Sequence, residues 1–294
     1  MTSAKKNKFR HFVFAVMALM AAVMMASCGK NDGKKTIAVS IEPQRAILEQ
    51  IVGDRFTVTT ILPSGANPET FEPTMKTRKD VDDAVAYFTV GAMPFEQRLA
   101  STLPGDVLSV DVSKGITPVY GTHDHEGHEG HEGHSHGSAD PHTWTSVKNA
   151  RVMAKNMYDA VLKLDPKGSD YYAERYNRLV SHLDSLDREF TRRLAPSAGK
   201  AFAVWHPSLS YFARDYGLEQ ISVGYENKEL SPKRMAEVAE HARLEGVAVL
   251  FFQKEYDSRQ ARSFSDELGT KLITINPLDY DWESQLETVV RALE

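Results

Sequence analysis

Short runs of β-branched and aromatic residues alternate with helix-periodic segments along most of the chain. Continuous apolar stretches bounded by polar turns predict strands at Thr36–Ser40, Phe56–Ile61, Ala86–Val90, Val107–Val110, Ala201–Val204, Gln220–Val223, Val247–Phe252 and Lys271–Ile275. Helical patterns follow most of them. Apolar strands separated by helices imply parallel sheets covered on both faces, an α/β architecture.

Two helical patterns lie between the two sets of strands. Val147, Ala150, Val152, Met153, Met157, Ala160, Val161 and Leu164 recur at three- and four-residue intervals and predict an amphipathic helix from near Ser146. After Asp165-Pro166, Tyr172, Tyr176, Leu179, Leu183, Leu186 and Phe190 predict one continuous helix from Lys167 to Leu194. Such a helix, of about 28 residues, would be about 42 Å long and could bridge two lobes. A coiled-coil partner helix is the rival reading, although the segment is short for one. The cluster Ala195-Pro196-Ser197-Ala198-Gly199 ends the pattern.

The N-terminus carries Lys5, Lys6, Lys8 and Arg10, an apolar run from Phe12 to Met25, then Ala26-Ser27-Cys28. The run is too short to span a bilayer and suits a secretory signal. Cys28, the single cysteine of the chain, follows it as the lipidated cysteine follows a bacterial lipoprotein signal, with Met25 where leucine is usual. An ordinary signal peptide followed by a free cysteine is the alternative. Polar residues 29–35 then suit a tether from membrane to folded domain. These features predict an exported chain, lipid-anchored to a bacterial membrane and facing the periplasm or cell exterior.

A net charge of −5, with no basic patch, argues against nucleic acid as a partner. Composition changes the picture most at histidine. Seven of the eleven fall between His123 and His142. Imidazole is a common ligand for zinc-like ions, so the cluster points to metal chemistry. His123, His125, His128, His131, His134 and His136 alternate with Gly, Glu and Asp in a loop spanning 122–140 that predicts a mobile, low-affinity pool of ligands. His142 differs, standing in Asp140-Pro141-His142-Thr143-Trp144 at a loop-helix junction.

In open α/β sheets ligands bind beyond the carboxyl ends of strands. There the sequence displays Glu69, in the proline-stiffened loop after Phe56–Ile61, His206 directly after Ala201–Val204, and Asn276-Pro277-Leu278-Asp279 after Lys271–Ile275. Each alone is as readily a turn or capping residue. Their coincidence at strand ends in an exported, histidine-rich chain favours a site.

The strings SGANPETFEPT, DPHTW, WHPSLSYFARDYGL and TINPLDYDW, in this order, resemble the solute-binding lipoproteins of zinc and manganese ABC importers, the ZnuA/TroA-like family, and the acidic histidine-rich insert resembles its zinc-preferring members. The resemblance implies two α/β lobes with mainly parallel sheets joined by one long rigid helix, and one metal ion in the cleft between them. It implies an N-terminal lobe over 36–166, the linking helix over 167–195 and a C-terminal lobe over 196–294. Carried over by position, His142 and His206 are metal ligands, Glu69 replaces the family's first-lobe histidine, and Asn276 stands where a late aspartate is usual. Asn276 offers only a neutral carbonyl oxygen, so the fourth ligand is open between water, Asp279 and a histidine of the insert. The resemblance further implies zinc as cargo, with manganese the alternative, a monomer, no enzymatic activity, and an ABC importer permease as partner.

Two other classes use similar ligands. A zinc-dependent hydrolase needs an open position for an activated water, but the chain contains no H-E-x-x-H or G-x-S-x-G motif. A surface lipoprotein or adhesin that buffers metal non-specifically would bind several ions weakly and none tightly.

Overall fold

The computed structural model describes residues 33–120, 139–224, 231–254, 256 and 258–294. The expected signal segment with Cys28, the first part of the tether and the insert histidines from His123 to His136 lie outside the described residues.

All eight expected strands form, with ends shifted by at most two residues. In the first lobe they are β1 (Thr36–Val39), β2 (Thr57–Thr60), β3 (Ala86–Thr89) and β4 (Leu108–Asp111). The second lobe contributes β5 (Ala201–Val204), β6 (Glu219–Ser222), β7 (Val249–Gln253) and β8 (Lys271–Ile275). The sheet orders are β2-β1-β3-β4 and β6-β5-β7-β8, and every named strand pair is parallel. In each lobe the chain therefore leaves the first strand toward one side and returns to its other side, which opens a crevice between β1 and β3 and between β5 and β7.

Burial follows strand order. Every residue of β3 and β7 is buried, whereas β4 alternates between partly buried and exposed positions. Successive side chains point to opposite faces, so complete burial means that both faces are covered. In β5, Phe202 and Val204 join the main core while Ala203 packs into a smaller cluster with Trp205. Val249 and Phe251 of β7 join the former, and Leu250 and Phe252 the latter.

Helix α1 (Glu42–Val52), α2 (Met75–Asp82) and α3 (Pro94–Ala100) follow β1, β2 and β3. Helix α4 (Val147–Leu164) starts at Ser146, whose side chain accepts from the Asn149 backbone N–H as an N-cap. The linking helix α5 is Ser169–Leu194, 26 residues or about 39 Å long. It begins two residues later than the periodicity suggested. Pro166–Gly168 instead forms a 3₁₀ turn, and the Asp165 carboxylate accepts from the Tyr172 hydroxyl at 2.7 Å. Tyr172, Leu179, Leu183, Phe190 and Leu194 are its buried stripe. It packs against α4, α1 and the C-terminal helix α9 (Trp282–Leu293).

Helices α6 (Ser210–Tyr216), α7 (Pro232–Leu244) and α8 (Ser258–Leu268) complete the second lobe. Among the described residues no helix is long and apolar enough to cross a membrane.

The lobes are bonded to one another. The Trp144 indole N–H donates to the Pro277 carbonyl at 2.8 Å, and the Tyr280 hydroxyl reaches Glu49 of α1 at 2.7 Å. From α6, Tyr211 donates to the Asp140 carbonyl at 2.8 Å, Arg214 to the Thr117 carbonyl at 2.9 Å, and Asp215 accepts from the Ser146 hydroxyl.

Candidate metal centre

His142 reaches its position through a tight local turn. The Oδ1 atom of Asp140 accepts from the His142 backbone N–H at 2.8 Å and from ring Nδ1 at 2.7 Å. A carboxylate can only accept, so the proton of a neutral His142 ring resides on Nδ1 and Nε2 presents a lone pair. Burial pushes the Asp140 carboxyl up, but the charge and hydrogen bonds of His142 outweigh it and the net displacement is downward. Asp140 stays ionised beside the ring.

His206 approaches from the other lobe. It is the second residue after β5, and its Nε2 lies 3.3 Å from Nε2 of His142. The two rings meet edge to face at 5.1 Å. Both side chains are buried, with residue exposures of 5% for His142 and 4% for His206. Burial, and then the neighbouring His142, lower the His206 pKa to about 3. The imidazole is therefore held neutral, as a metal ligand must be.

Trp205-His206 is braced from both neighbouring strands. Gly224, just past β6, donates its N–H to the Trp205 carbonyl at 2.7 Å, and a Cβ there would stand 2.8 Å from that oxygen, so only glycine permits the approach. On the other side Gln253 closes β7, and its amide holds both the N–H and the carbonyl of His206. The His206 ring stacks on Tyr256 at 4.8 Å.

Glu69 sits in a turn where its N–H donates to the Asn67 side chain at 2.8 Å. Its Oε1 lies 3.4 Å from Nε2 of His206. The described structure thus brings together three expected residues, His142, His206 and Glu69. Asn276 and Asp279 bond to each other instead. The Asn276 amide donates to Asp279 Oδ2 at 3.0 Å, and among the described residues neither bonds to either histidine. Among the described residues no group of three or more His, Cys, Asp or Glu side chains is arranged to hold a metal ion. The arrangement is a facing imidazole pair with a carboxylate against one member.

Two ligand atoms bound at about 2.0–2.2 Å around a tetrahedral ion stand roughly 3.3–3.6 Å apart. The observed 3.3 and 3.4 Å separations match that edge length. Asp140 and Gln253 were not singled out from sequence. Asp140 had a signal, a carboxylate two residues before a motif histidine, and Gln253 had a weaker one, a polar residue ending an apolar strand.

A family model described as "Zinc-uptake complex component A periplasmic" matches residues 37–293. The "High-affinity zinc uptake system protein ZnuA" of Bacillus subtilis is 28% identical over 275 residues, 87% of this chain and 85% of that protein. The "Zinc-binding protein AdcA" of Streptococcus pyogenes is 27% identical over 277 residues, 87% of this chain but 53% of the relative, so the chain spans about half of that protein. Among solved structures, one described as "Crystal structure of ZnuA" superposes with a TM-score of 0.78 at 29% identity, covering 88% of this chain and 97% of its own. The match over 37–293 embraces both sheets, the linking helix and the histidine pair, and the chain belongs to the zinc-uptake complex component A family.

Proposed function

We propose that this protein captures a single zinc ion outside the cytoplasm, between His142, His206 and Glu69, and hands it to the permease of an ABC importer. The observation that carries the reading is the 3.3 Å approach of two buried Nε2 atoms, one from each lobe. Two imidazole nitrogens at that distance can both bind one shared cation. Two imidazoles favour zinc over manganese, which prefers oxygen ligands. Burial of both rings suits a carrier that shields its ion more than a hydrolase, whose bound water must meet a substrate. The relatives named for zinc uptake and zinc binding support the same cargo.

The remaining assignments belong to this reading. Water, Asp279 or an insert histidine completes the coordination, with Asn276 the weaker candidate. Lobe boundaries at 36–166 and 196–294 flank the linking helix. Cys28 carries the lipid that tethers a monomer to the membrane, and His123, His125, His128, His131, His134 and His136 collect metal weakly.

Competitive zinc titration of the tether-free protein tests the site. His142→Ala or His206→Ala should weaken tight binding by at least about tenfold, and Glu69→Ala by a similar or smaller factor. Unchanged affinity in both histidine variants overturns the assignment. Deleting residues 123–136 should remove weak sites and keep the tight one, because ordering a glycine-rich loop costs about 1–2 kcal/mol per residue.

A further inference from the structure

His142 and His206 are oriented by different means. The His142 ring is fixed through Nδ1 by Asp140, the ordinary device for aiming an imidazole at a metal. The Nδ1 atom of His206 is buried and has no hydrogen-bond partner among the described residues. Its ring is flanked by Tyr256 and by His142, and its one contact with a carboxylate among the described residues is at Nε2, where Glu69 Oε1 lies 3.4 Å away.

What the ring lacks, the backbone has. Gln253 Oε1 accepts from the His206 N–H at 3.2 Å, and its Nε2 donates to the His206 carbonyl at 2.7 Å and to the Ser208 hydroxyl. Gln253 is completely buried, so these bonds do not compete with water. Its place in the fold is specific. It ends β7 and His206 follows β5, so the amide spans the crevice where the second sheet reverses strand order.

We propose that Gln253 is a positioning residue for cargo capture. By gripping the His206 peptide unit at both polar groups it aims Nε2 at the ion, serving where a bond at Nδ1 would otherwise orient the ring. The inference rests on the proposed site and adds the means by which its second-lobe ligand is preorganised.

The test is a double-mutant cycle in the full-length mature chain, with zinc titrated against a competing chelator and cobalt(II) as a spectroscopic probe of coordination. Gln253→Met keeps the length and apolar stem of the side chain and removes all three bonds. It should weaken zinc binding about tenfold, within the range for loss of a ligand's supporting partner, and lower the intensity of the cobalt visible bands. In a His206→Ala background the same substitution should change affinity less than about twofold, because the residue it acts through is gone. An equal loss in both backgrounds, or wild-type affinity and spectrum in Gln253→Met, overturns the proposal. A weakened His206→Ala beside an unaffected Gln253→Met overturns the positioning role alone, whereas an unaffected His206→Ala overturns the site with it. Should Gln253→Met fail to fold, hydrogen exchange in the wild-type protein decides. The His206 amide should be as protected without metal as with zinc, and rapid exchange in the metal-free state overturns the proposal.

Discussion

One oxygen of Asp140 accepts from both the backbone and the ring of His142, at 2.8 and 2.7 Å. The bonds fix the tautomer and the aim of Nε2. Asp140→Ala should lower zinc affinity by about 10- to 100-fold, and Asp140→Asn, which keeps an acceptor without the charge, by less. Chelator competition measures both, and wild-type affinity in Asp140→Ala would show that His142 needs no partner.

Glu96, which is not among the proposed ligands, supplies a pH dependence. It is buried beside Ser40 and accepts from the Val90 and Met93 backbone N–H groups, yet burial prevails and pushes its pKa from 4.5 up to about 7. Between about pH 4.5 and 7 the folded protein holds a proton that the unfolded chain has released. The associated stability is fully present below pH 4.5 and is lost as pH rises through about 7, by on the order of 3 kcal/mol at about 1.4 kcal/mol per unit. Glu96→Gln does not titrate. Denaturant unfolding should therefore show the wild type gaining on the variant as pH falls from 7.5 to 5, and a constant difference would refute this origin.

Trp144 joins the lobes through its bond to the Pro277 carbonyl. Trp144→Phe removes the donor, leaves that carbonyl unpaired in a buried contact and opens a small void. Urea unfolding should register a loss of about 1–3 kcal/mol. A midpoint equal to wild type would mean that water replaces the indole at no cost.

The linking helix limits how far the lobes can part. Ser169–Leu194 contains no proline or glycine, and kinks need such a residue or an inserted group. Zinc release should therefore involve a small tilt and movement of the loops around His142, Glu69 and His206. Small-angle scattering of metal-free and zinc-loaded protein should differ only slightly, and a change of several ångströms in radius of gyration would exclude this account.

Strands and helices were legible because each is a local pattern. Val249–Gln253 is instructive: apolarity ends at Phe252, so the strand was read one residue short and its functional end was missed. Glu69, His142 and His206 could be read as candidates because each follows a strand or precedes a helix. Their convergence could not be read from those local signals. The contacts that impose it join residues far apart in sequence, such as Ser146 with Asp215 or Glu49 with Tyr280, and no local periodicity encodes such pairs. Asn276 illustrates the reverse, since its alignment with a ligand position says nothing of its bond to Asp279.

The order of strands also sets when the site can exist during folding. His206 follows the first strand of its lobe, but the side chain that grips it arrives 47 residues later, on β7. Contacts of that sequence separation form slowly, after the loop entropy between them has been overcome. A folding chain thus carries its second-lobe histidine on an unbraced loop until β7 docks beside β5. Tight binding at the proposed site is consequently expected late, with the last parallel pairings, so a partly folded chain should compete poorly for scarce metal.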